Sequence, residues 1–263
     1  TEPAAGDWIR PFLGAEEFIN GKARWCLWLQ GIAPDKLRAL PEVSKRVAKV
    51  KEHRLNSDRA TTRELARFPV LFGEIRQPDA PYLIIPRVSS ERRSFIPVAL
   101  QLGQIVASNL CLVVPHAGHF HLGVVASSMH MAWMRYTSGR LKSDYRYSAG
   151  IVYNNFPWPR DPSEKQVTAI EEAARNVLDA RSKFSSATLA DLYDTVSMPP
   201  ELVKAHQTLD RAVDASYACP EPGRKGKKDF KSDAERVAFL FELYQQYTSL
   251  LPLEKPKKRR ERS

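Results

Sequence analysis

The sequence predicts an α+β protein, in which a mixed α/β unit is followed by an α-helical C-terminal unit. Between residues 68 and 160, short runs of β-branched and aromatic residues alternate with turn residues, as is typical of short strands. From Ser163 onward, apolar residues recur at helical spacing behind residues that cap helices. A chain of 263 residues, 43% of them hydrophobic, is long enough to bury a core around such elements.

The first 60 residues are predicted to form a strand and a helix. The strand is expected at Trp25–Leu29, within a stretch rich in Trp, Pro and Gly. The helix is expected over residues 35–54, with Asp35 as its capping residue. Its apolar positions recur at helical spacing: Leu37, Leu40, Val43, Val47 and Val50.

The middle of the chain is predicted to contain four strands and one helix. The strand candidates are Tyr82–Pro86, Phe95–Val98, Leu110–Val114 and Ile151–Tyr153. The helix is expected near residues 122–137 and should end at Gly139. Four residues would share one of its faces, which is more typical of a core than of a ligand site: Leu122, Ala126, Met129 and Trp133.

Three helix starts are predicted in the C-terminal part. Ser163–Gln166 fits a capping box, Pro199 and Pro200 open a second helix, and Ser232–Glu235 fits another capping box. Several aspartates on these helices are spaced as on solvated faces, and nothing arranges them as an acid–base pair: Asp191, Asp194, Asp210 and Asp214.

The net charge of +10 is unevenly distributed along the chain. The tail Glu254–Ser263 has six basic and two acidic residues, and the loop Arg224–Lys231 has five basic and one acidic. Both segments are typical of solvated linkers. The stretch Tyr82–Tyr147 holds seven basic and two acidic residues, which favours a surface that faces a polyanion. On charge alone, ordinary solvated arginines are an equal alternative.

The cysteine pattern and the absence of targeting segments indicate a cytoplasmic protein that does not enter a membrane. The sequence has no signal peptide and no apolar run of membrane-spanning length. Cys26, Cys111 and Cys219 are far apart and odd in number, so we expect reduced thiols rather than disulfides or a metal knuckle. Because the chain begins at Thr1 rather than Met, it is expected to be a piece of a longer protein.

The sequence contains no established catalytic motif. It lacks a GxGxxG string, a Walker A loop and a GxSxG elbow. The string NNFPWP (154–159) lacks the paired prolines that follow an Asn in a DNA methyltransferase, and it is better explained as the end of a strand before a helix. In a strand, His119 and His121 would share a face near His116, but too few further donors lie nearby to predict a metal site.

Six strings, in this order, resemble the C-terminal half of the MmeI-like family: RPFLGAEEF (10–18), IPRVSSERR (85–93), MHMAWMR (129–135), GRLKSDYRYS (139–148), IVYNNFPWP (151–159) and LADLYD (189–194). Members of this family are single-chain enzymes that combine a nuclease, an adenine-N6 methyltransferase and a target recognition domain. The resemblance spans roughly residues 9–250. It implies a module that recognises a sequence in double-stranded DNA, followed by a helical segment.

The resemblance also implies what this chain does not contain. The nuclease is missing, and so is the methyltransferase domain that binds S-adenosylmethionine. We therefore assign no catalytic residue, cofactor or metal to the chain and expect it to be inactive alone. The implied division is a lead-in at residues 1–60 that joins the methyltransferase domain of the same parent chain, a target recognition domain at 61–160, a helical segment at 161–250 and a basic disordered tail at 251–263.

Matching the motifs carries the family's base-recognition positions onto six residues: Arg87, Asn109, Leu110, Lys142, Asp144 and Arg146. If the segment after Gly139 is extended, Lys142, Asp144 and Arg146 all point the same way. Lys or Arg donates to the O6 and N7 acceptors of guanine, and Asp accepts from the N4 amine of cytosine. The alternative is that Asp144 forms a salt bridge with Arg140 or Arg146 and only shapes the loop.

A second group of residues is suited to contact the DNA backbone: Ser89, Ser90, Arg92, Arg93 and Arg140. Their alternative explanation is a simple exposed turn. The neighbouring Tyr145 and Tyr147 are expected to anchor the loop in the core.

Two competing functions follow from the same sequence. The chain could be a protein-interaction module or a helical module that binds DNA without sequence preference. A self-contained hydrolase is the weakest hypothesis, because the sequence offers no nucleophile and no paired carboxylates.

Overall fold

The computed structural model describes residues 2–218 and 229–249 and confirms the α+β class. The α-helices of this part are α1 (Ala15–Asn20), α2 (Pro34–Arg38), α3 (Pro41–Leu55), α4 (Ala60–Glu64), α5 (His119–Val125), α6 (Ser128–Thr137), α7 (Glu164–Ser182), α8 (Leu189–Leu192), α9 (Pro200–Ser216) and α10 (Asp233–Thr248). Its strands are β1 (Ile9–Leu13), β2 (Trp25–Leu27), β3 (Tyr82–Pro86), β4 (Val88–Ser89), β5 (Ala99–Gln101), β6 (Val106–Ala107), β7 (Cys111–Pro115), β8 (Gly139–Leu141) and β9 (Asp144–Arg146).

The strands form three small sheets, with orders β2-β1-β6, β5-β3-β7 and β4-β9-β8. β1 and β6 run parallel, whereas the other pairs are antiparallel. β3 and β4 are separated only by Arg87, so one extended segment passes from the second sheet into the third. This passage brings the β8–β9 hairpin beside the end of β7.

Strand β3 separates two hydrophobic clusters. Successive side chains of a strand point to opposite faces. Leu83 and Ile85 accordingly pack into the main core, while Tyr82 and Ile84 pack with Phe18 of α1 and its neighbours in a second cluster. Burial of both faces explains why this strand is a continuous apolar run rather than an alternating one.

The C-terminal helices share the main core with the middle of the chain. α5 packs on α7 at Gly123, where an added Cβ would lie 2.7 Å from Cγ2 of Ile170, so the close approach requires a glycine. Helix α10 packs on α6, where Trp133 contacts the rings of Phe241 and Tyr244. The hydrophobic core therefore continues across the boundary predicted near residue 160.

Several predicted elements are confirmed, some with shifted ends. Strand β3 has the predicted bounds, the strand predicted at Trp25–Leu29 ends at Leu27, and the strand predicted at Leu110–Val114 lies one residue later. The three predicted C-terminal helices begin where expected. The Ser163 hydroxyl accepts from the N–H of Gln166 at 3.4 Å, and Pro200 starts α9. The Ser232 hydroxyl accepts from the N–H of Glu235 at 3.3 Å.

Two predicted strands are wrong. Phe95–Val98 lies outside the strands, and β5 begins at Ala99 instead, because Pro97 has no N–H to donate to a ladder. Residues Ala149–Tyr153, which include the predicted strand Ile151–Tyr153, form a π-helical turn that Ser148 caps by accepting from the N–H of Ile151 at 3.4 Å. Local capping overrides β propensity there.

Two predicted helices are each divided in the structure. The helix expected over 35–54 consists of α2 and α3, because Pro41 lacks an N–H to continue a helix and starts a new one. The helix expected near 122–137 consists of α5 and α6, with Ser127 between them as the cap of α6. His119 and His121 lie on α5, so the strand geometry considered for them is wrong.

In residues 2–218 and 229–249, no group of three or more His, Cys, Asp or Glu side chains is placed to hold a metal ion. No helix within those ranges has the length and apolar character needed to cross a membrane. Cys26 and Cys111 are free thiols. Cys219, most of the basic loop and the basic tail at 251–263 lie outside the described residues.

Candidate nucleic-acid interface

The main chain of Arg87 joins the three segments that carry the predicted recognition residues. Its N–H donates to the carbonyl of Leu110 at 3.0 Å, and its carbonyl accepts from the N–H of Tyr147 at 2.8 Å. Val88, the next residue, pairs with Arg146 across the third sheet. Residues that are far apart in sequence therefore lie on one surface, although nothing in the local sequence pattern indicates their proximity.

The β8–β9 hairpin has a two-residue turn at Lys142 and Ser143. Lys142 has a φ of +56°, in the left-handed region that favours glycine, so the chain reverses there. The segment after Gly139 is therefore not extended throughout, and the condition under which Lys142, Asp144 and Arg146 would all point the same way is not met. Asp144 and Arg146 are two residues apart on β9 and share a face, whereas Lys142 lies at the tip.

The opposite face of the hairpin holds it against the protein. Tyr145 and Tyr147 are buried, which confirms their predicted anchoring role. The guanidinium of Arg140 lies 4.0 Å from the ring centre of Tyr145 and donates to the carbonyl of Ser143 at 2.9 Å. Arg140 thus stabilises the hairpin through these two contacts, while about half of its side chain remains exposed.

A buried polar pair fixes the base of the hairpin to α6. Nε2 of His130 lies 2.7 Å from the hydroxyl of Tyr147. Burial lowers the pKa of His130 to about 3 and raises the pKa of Tyr147 well above 10. Both groups are therefore neutral near pH 7, and one hydrogen bond joins them without burying a charge.

Asp144 is half-buried and faces the turn that carries the predicted phosphate ligands. Its Oδ1 accepts from the N–H of Glu91 at 3.4 Å. Among the described residues it forms no ion pair, so the alternative salt bridge with Arg140 or Arg146 is not formed; Arg140 instead lies 3.8 Å from the carboxylate of Glu91. The Asp144 carboxylate keeps acceptor capacity for a ligand, because a carboxylate accepts several hydrogen bonds.

The turn at residues 90–93 divides its members between the surface and the interior. Arg92 is exposed and Ser90 is half-buried, with the Ser90 hydroxyl accepting from the N–H of Arg92 at 3.4 Å. Burial lowers the pKa of Arg93, while the nearby charges of Asp144 and Asp194 raise it. Ser89 is only 3% exposed, so its prediction as a DNA-backbone ligand is wrong: its side chain follows the buried face of β4.

A cleft of about 970 Å³ lies beside Arg87, between β7 and the first 77 residues. Phe12, Trp28 and Phe72 contribute its aromatic wall. Nε of Arg87 is buried and has no hydrogen-bond partner within the described part of the chain. Asn109 also lines the cleft. Both Asn109 and the neighbouring Leu110 are exposed on the protein surface.

Taken together, the surface combines hydrogen-bond donors and acceptors under a positive charge. The Arg87, 90–93 and hairpin segments supply six basic and two acidic side chains: Arg87, Arg92, Arg93, Arg140, Lys142 and Arg146 against Glu91 and Asp144. Such a surface binds and orients a polyanion.

The sequence pattern does not single out one exposed residue of this surface, Leu141. Leu141 pairs directly with Asp144 across the hairpin, and its side chain is 52% exposed. Residues opposite each other on paired strands lie on the same face. Only the register of the hairpin reveals this, because the sequence shows merely a leucine between two basic residues.

The C-terminal aspartates serve the fold, and the expectation of solvated faces is wrong for two of them. Asp210 accepts from both the N–H and the hydroxyl of Ser128, each at 2.7 Å, at the start of α6. Asp214 is buried and pairs with Arg236 of α10 through two hydrogen bonds, at 3.2 and 2.6 Å. Both carboxylates therefore connect helices.

Comparison with known proteins gives consistent matches along the chain. The family described as "MmeI, target recognition domain" matches residues 1–160, and the one described as "MmeI, C-terminal domain" matches residues 162–252. The chain is 39% identical over 246 residues to a protein of Bacillus subtilis (strain 168) named DNA methyltransferase A. This match covers 94% of the chain and 27% of the Bacillus subtilis protein.

A solved structure matches with the same extent. The chain is 47% identical, with a TM-score of 0.87, to the Type IIL restriction-modification enzyme MmeI solved in complex with DNA. The match covers 95% of this chain and 32% of that chain. This chain thus spans about a third or less of the length of these relatives.

Proposed function

The chain belongs to the MmeI family, with the target recognition and C-terminal domains in succession, and from this premise we propose that it recognises a specific sequence in double-stranded DNA for an adenine-N6 DNA methyltransferase of a restriction–modification system. The observation that carries the proposal is the exposed face of the β8–β9 hairpin. Asp144 and Arg146 lie there side by side, next to Arg87 and the 109–110 turn.

The hairpin has the dimensions and chemistry for direct readout. A two-stranded β-ribbon fits the major groove of B-form DNA. Arg146 offers donors that match O6 and N7 of guanine, and Asp144 offers an acceptor for the N4 amine of cytosine. We assign base contacts to Arg87, Asn109, Leu110, Lys142, Asp144 and Arg146, with Lys142 reaching from the tip of the hairpin.

Contacts with the DNA backbone are assigned to the rim of the same surface. Ser90, Arg92 and Arg93 belong to the 90–93 turn, which contacts the hairpin through the hydrogen bond from Glu91 to Asp144, and Arg140 lies on β8 near the carboxylate of Glu91. Phosphate contacts from such residues position a protein on the duplex without determining which sequence it prefers. The hydrogen bond between Glu91 and Asp144 links this positioning turn to the proposed base contacts.

Methyl transfer is assigned to the part of the relatives that this chain does not cover. The cleft beside Arg87 mixes Glu64 and Glu74 with Arg76, and its lining includes no glycine-rich turn, so its residues do not fit S-adenosylmethionine. We therefore place the cofactor in the methyltransferase domain of the same parent chain. This chain would hold the duplex while that domain flips out an adenine in the bacterial cytoplasm.

A competition measurement tests the proposal. A duplex is first enriched from a random pool by binding to the chain. It then competes for the chain with a scrambled duplex of the same composition at salt concentrations of about 50 to 200 mM, the range over which phosphate contacts weaken. We expect the enriched duplex to bind at least tenfold more tightly, and affinity to fall steeply with salt. Equal binding of both duplexes would favour a module without sequence preference, and no binding at low salt would favour a protein-interaction module.

A further inference from the structure

Leu141 is an isolated apolar side chain on the hairpin face that carries the proposed base contacts. We propose that Leu141 is a specificity-determining residue, which contacts the C5-methyl group of a thymine in a base pair next to the one contacted by Asp144. The proposal rests on the proposed function and adds a residue to it. It begins from the pairing of Leu141 with Asp144 and from the 52% exposure of the leucine.

The position of Leu141 matches the spacing of bases. Cβ atoms of directly opposed residues on an antiparallel pair lie about 5 Å apart. Successive base pairs along a duplex are about 3.4 Å apart. Two side chains opposed on one face of the hairpin therefore reach the same base pair or neighbouring ones. If Asp144 accepts from a cytosine amine, Leu141 lies over an adjoining base edge.

The surroundings of Leu141 favour a base edge over an apolar protein surface. Its side chain joins none of the three hydrophobic clusters among the described residues, so its size is not explained by packing there. Its neighbours on the exposed face are Gly139, Asp144 and Arg146, which provide no continuous apolar patch for a partner protein. In the major groove, by contrast, thymine presents one methyl group among hydrogen-bonding atoms.

Substitution of thymine by uracil tests this contact because it removes only the methyl group. The probe is the duplex that the 263-residue chain enriches from a random pool, with each thymine replaced in turn by deoxyuridine. We expect one replacement to weaken binding by about three- to fivefold, the factor that corresponds to burial of one methyl group. The variant Leu141→Ala should bind the unmodified duplex more weakly by a similar factor and should not respond to that replacement.

Two further variants separate a methyl contact from a general effect on the fold. Leu141→Met keeps an apolar side chain and should keep the response to uracil. Leu102→Ala removes an equally exposed leucine, 53% exposed, at the end of the second sheet remote from Arg87, and should also keep it. Thermal unfolding of each variant confirms that the fold is retained.

The outcomes separate this inference from the proposed function. A chain that prefers the enriched duplex, but whose response to uracil at every thymine is unchanged in Leu141→Ala, overturns the role of Leu141 and leaves DNA recognition standing. An enriched duplex without any methyl-dependent thymine has the same consequence. A chain that does not distinguish the enriched duplex from a scrambled one overturns both.

Discussion

Arg87 donates its backbone N–H to the carbonyl of Leu110 at 3.0 Å. This hydrogen bond lies where the β3–β4 segment leaves one sheet and enters the next, so it fixes the 109–110 turn relative to the β8–β9 hairpin. Backbone hydrogen bonds and buried tyrosines hold the proposed contact residues, whereas their charged side chains remain available to a ligand. The surface is therefore built to present side chains in a fixed arrangement.

The exposed Arg92 provides a test of phosphate contacts. Arg92→Ala should weaken binding to enriched and scrambled duplexes alike and reduce the slope of log affinity against log salt by about 0.9. Fluorescence anisotropy over a salt series measures both quantities. Arg46→Ala removes an exposed arginine of α3, away from the proposed surface, and should leave the slope unchanged. A change confined to the enriched duplex would show that Arg92 contacts bases.

The two deeply buried histidines predict a loss of stability in acid. Burial lowers the pKa of His130 and of His206 to about 3, from the ordinary histidine value of 6.5. The unfolded chain takes up these protons as pH falls below about 6.5, whereas the folded chain resists them until about pH 3. The free energy of unfolding should therefore decrease as pH falls through this window, by about 1.4 kcal/mol per pH unit for each histidine.

Variants of the His130–Tyr147 pair assign that slope. Urea unfolding at a series of pH values gives the slope of the unfolding free energy against pH. In His130→Gln this slope should be smaller by the contribution of one histidine, about 1.4 kcal/mol per pH unit. Tyr147→Phe should lower stability at pH 7 by about 1–3 kcal/mol, because a buried nitrogen loses its partner, but it should preserve the pH slope. An unchanged slope in His130→Gln would contradict the buried, neutral state of this histidine.

A buried arginine network ties the helical segment to the proposed DNA-binding part. Arg181 of α7 donates from Nε to the hydroxyl of Tyr193 at 2.7 Å and from Nη1 to the carbonyl of Val98 at 2.6 Å. The same hydroxyl lies 2.8 Å from Nε2 of His206. We expect Tyr193→Phe to destabilise the fold by about 1–3 kcal/mol, because it removes a partner from a buried charge.

The geometry of Arg181 sharpens this prediction. Arg181→Lys should also lower the free energy of unfolding, although it keeps the positive charge, because an ammonium lacks the planar fork that reaches both acceptors. Tyr136→Phe removes the hydroxyl of an exposed tyrosine and should change stability by less than about 0.5 kcal/mol. Urea unfolding compares the variants. A loss in Tyr193→Phe no larger than that of Tyr136→Phe would show that the network contributes little.

Secondary structure was predicted correctly from the sequence where the local signals agree with the packing of the core. Strand β3 and the starts of α7 and α9 follow from an apolar run, a capping box and a proline pair. Prediction failed where one residue overrides the pattern, as Pro41 does in the first predicted helix and Ser148 does in the last predicted strand.

The relative positions of the proposed contact residues could not be predicted from the sequence. Lys142, Asp144 and Arg146 alternate in sequence, yet a turn with a positive φ at Lys142 separates it from the other two. The burial of Ser89 and the pairing of Leu141 with Asp144 both depend on strand register. Register is set by distant pairing partners, so a single sequence does not reveal it.

We propose that the exposed face of the β8–β9 hairpin determines which DNA sequence the chain prefers. The most direct test is to sequence the duplexes enriched from a random pool by the unmodified chain and by the double variant Asp144→Arg, Arg146→Asp. We expect both proteins to enrich defined sequences that differ at one or two adjacent base pairs, while the remaining positions stay the same. An identical enriched sequence for both proteins would contradict this proposal.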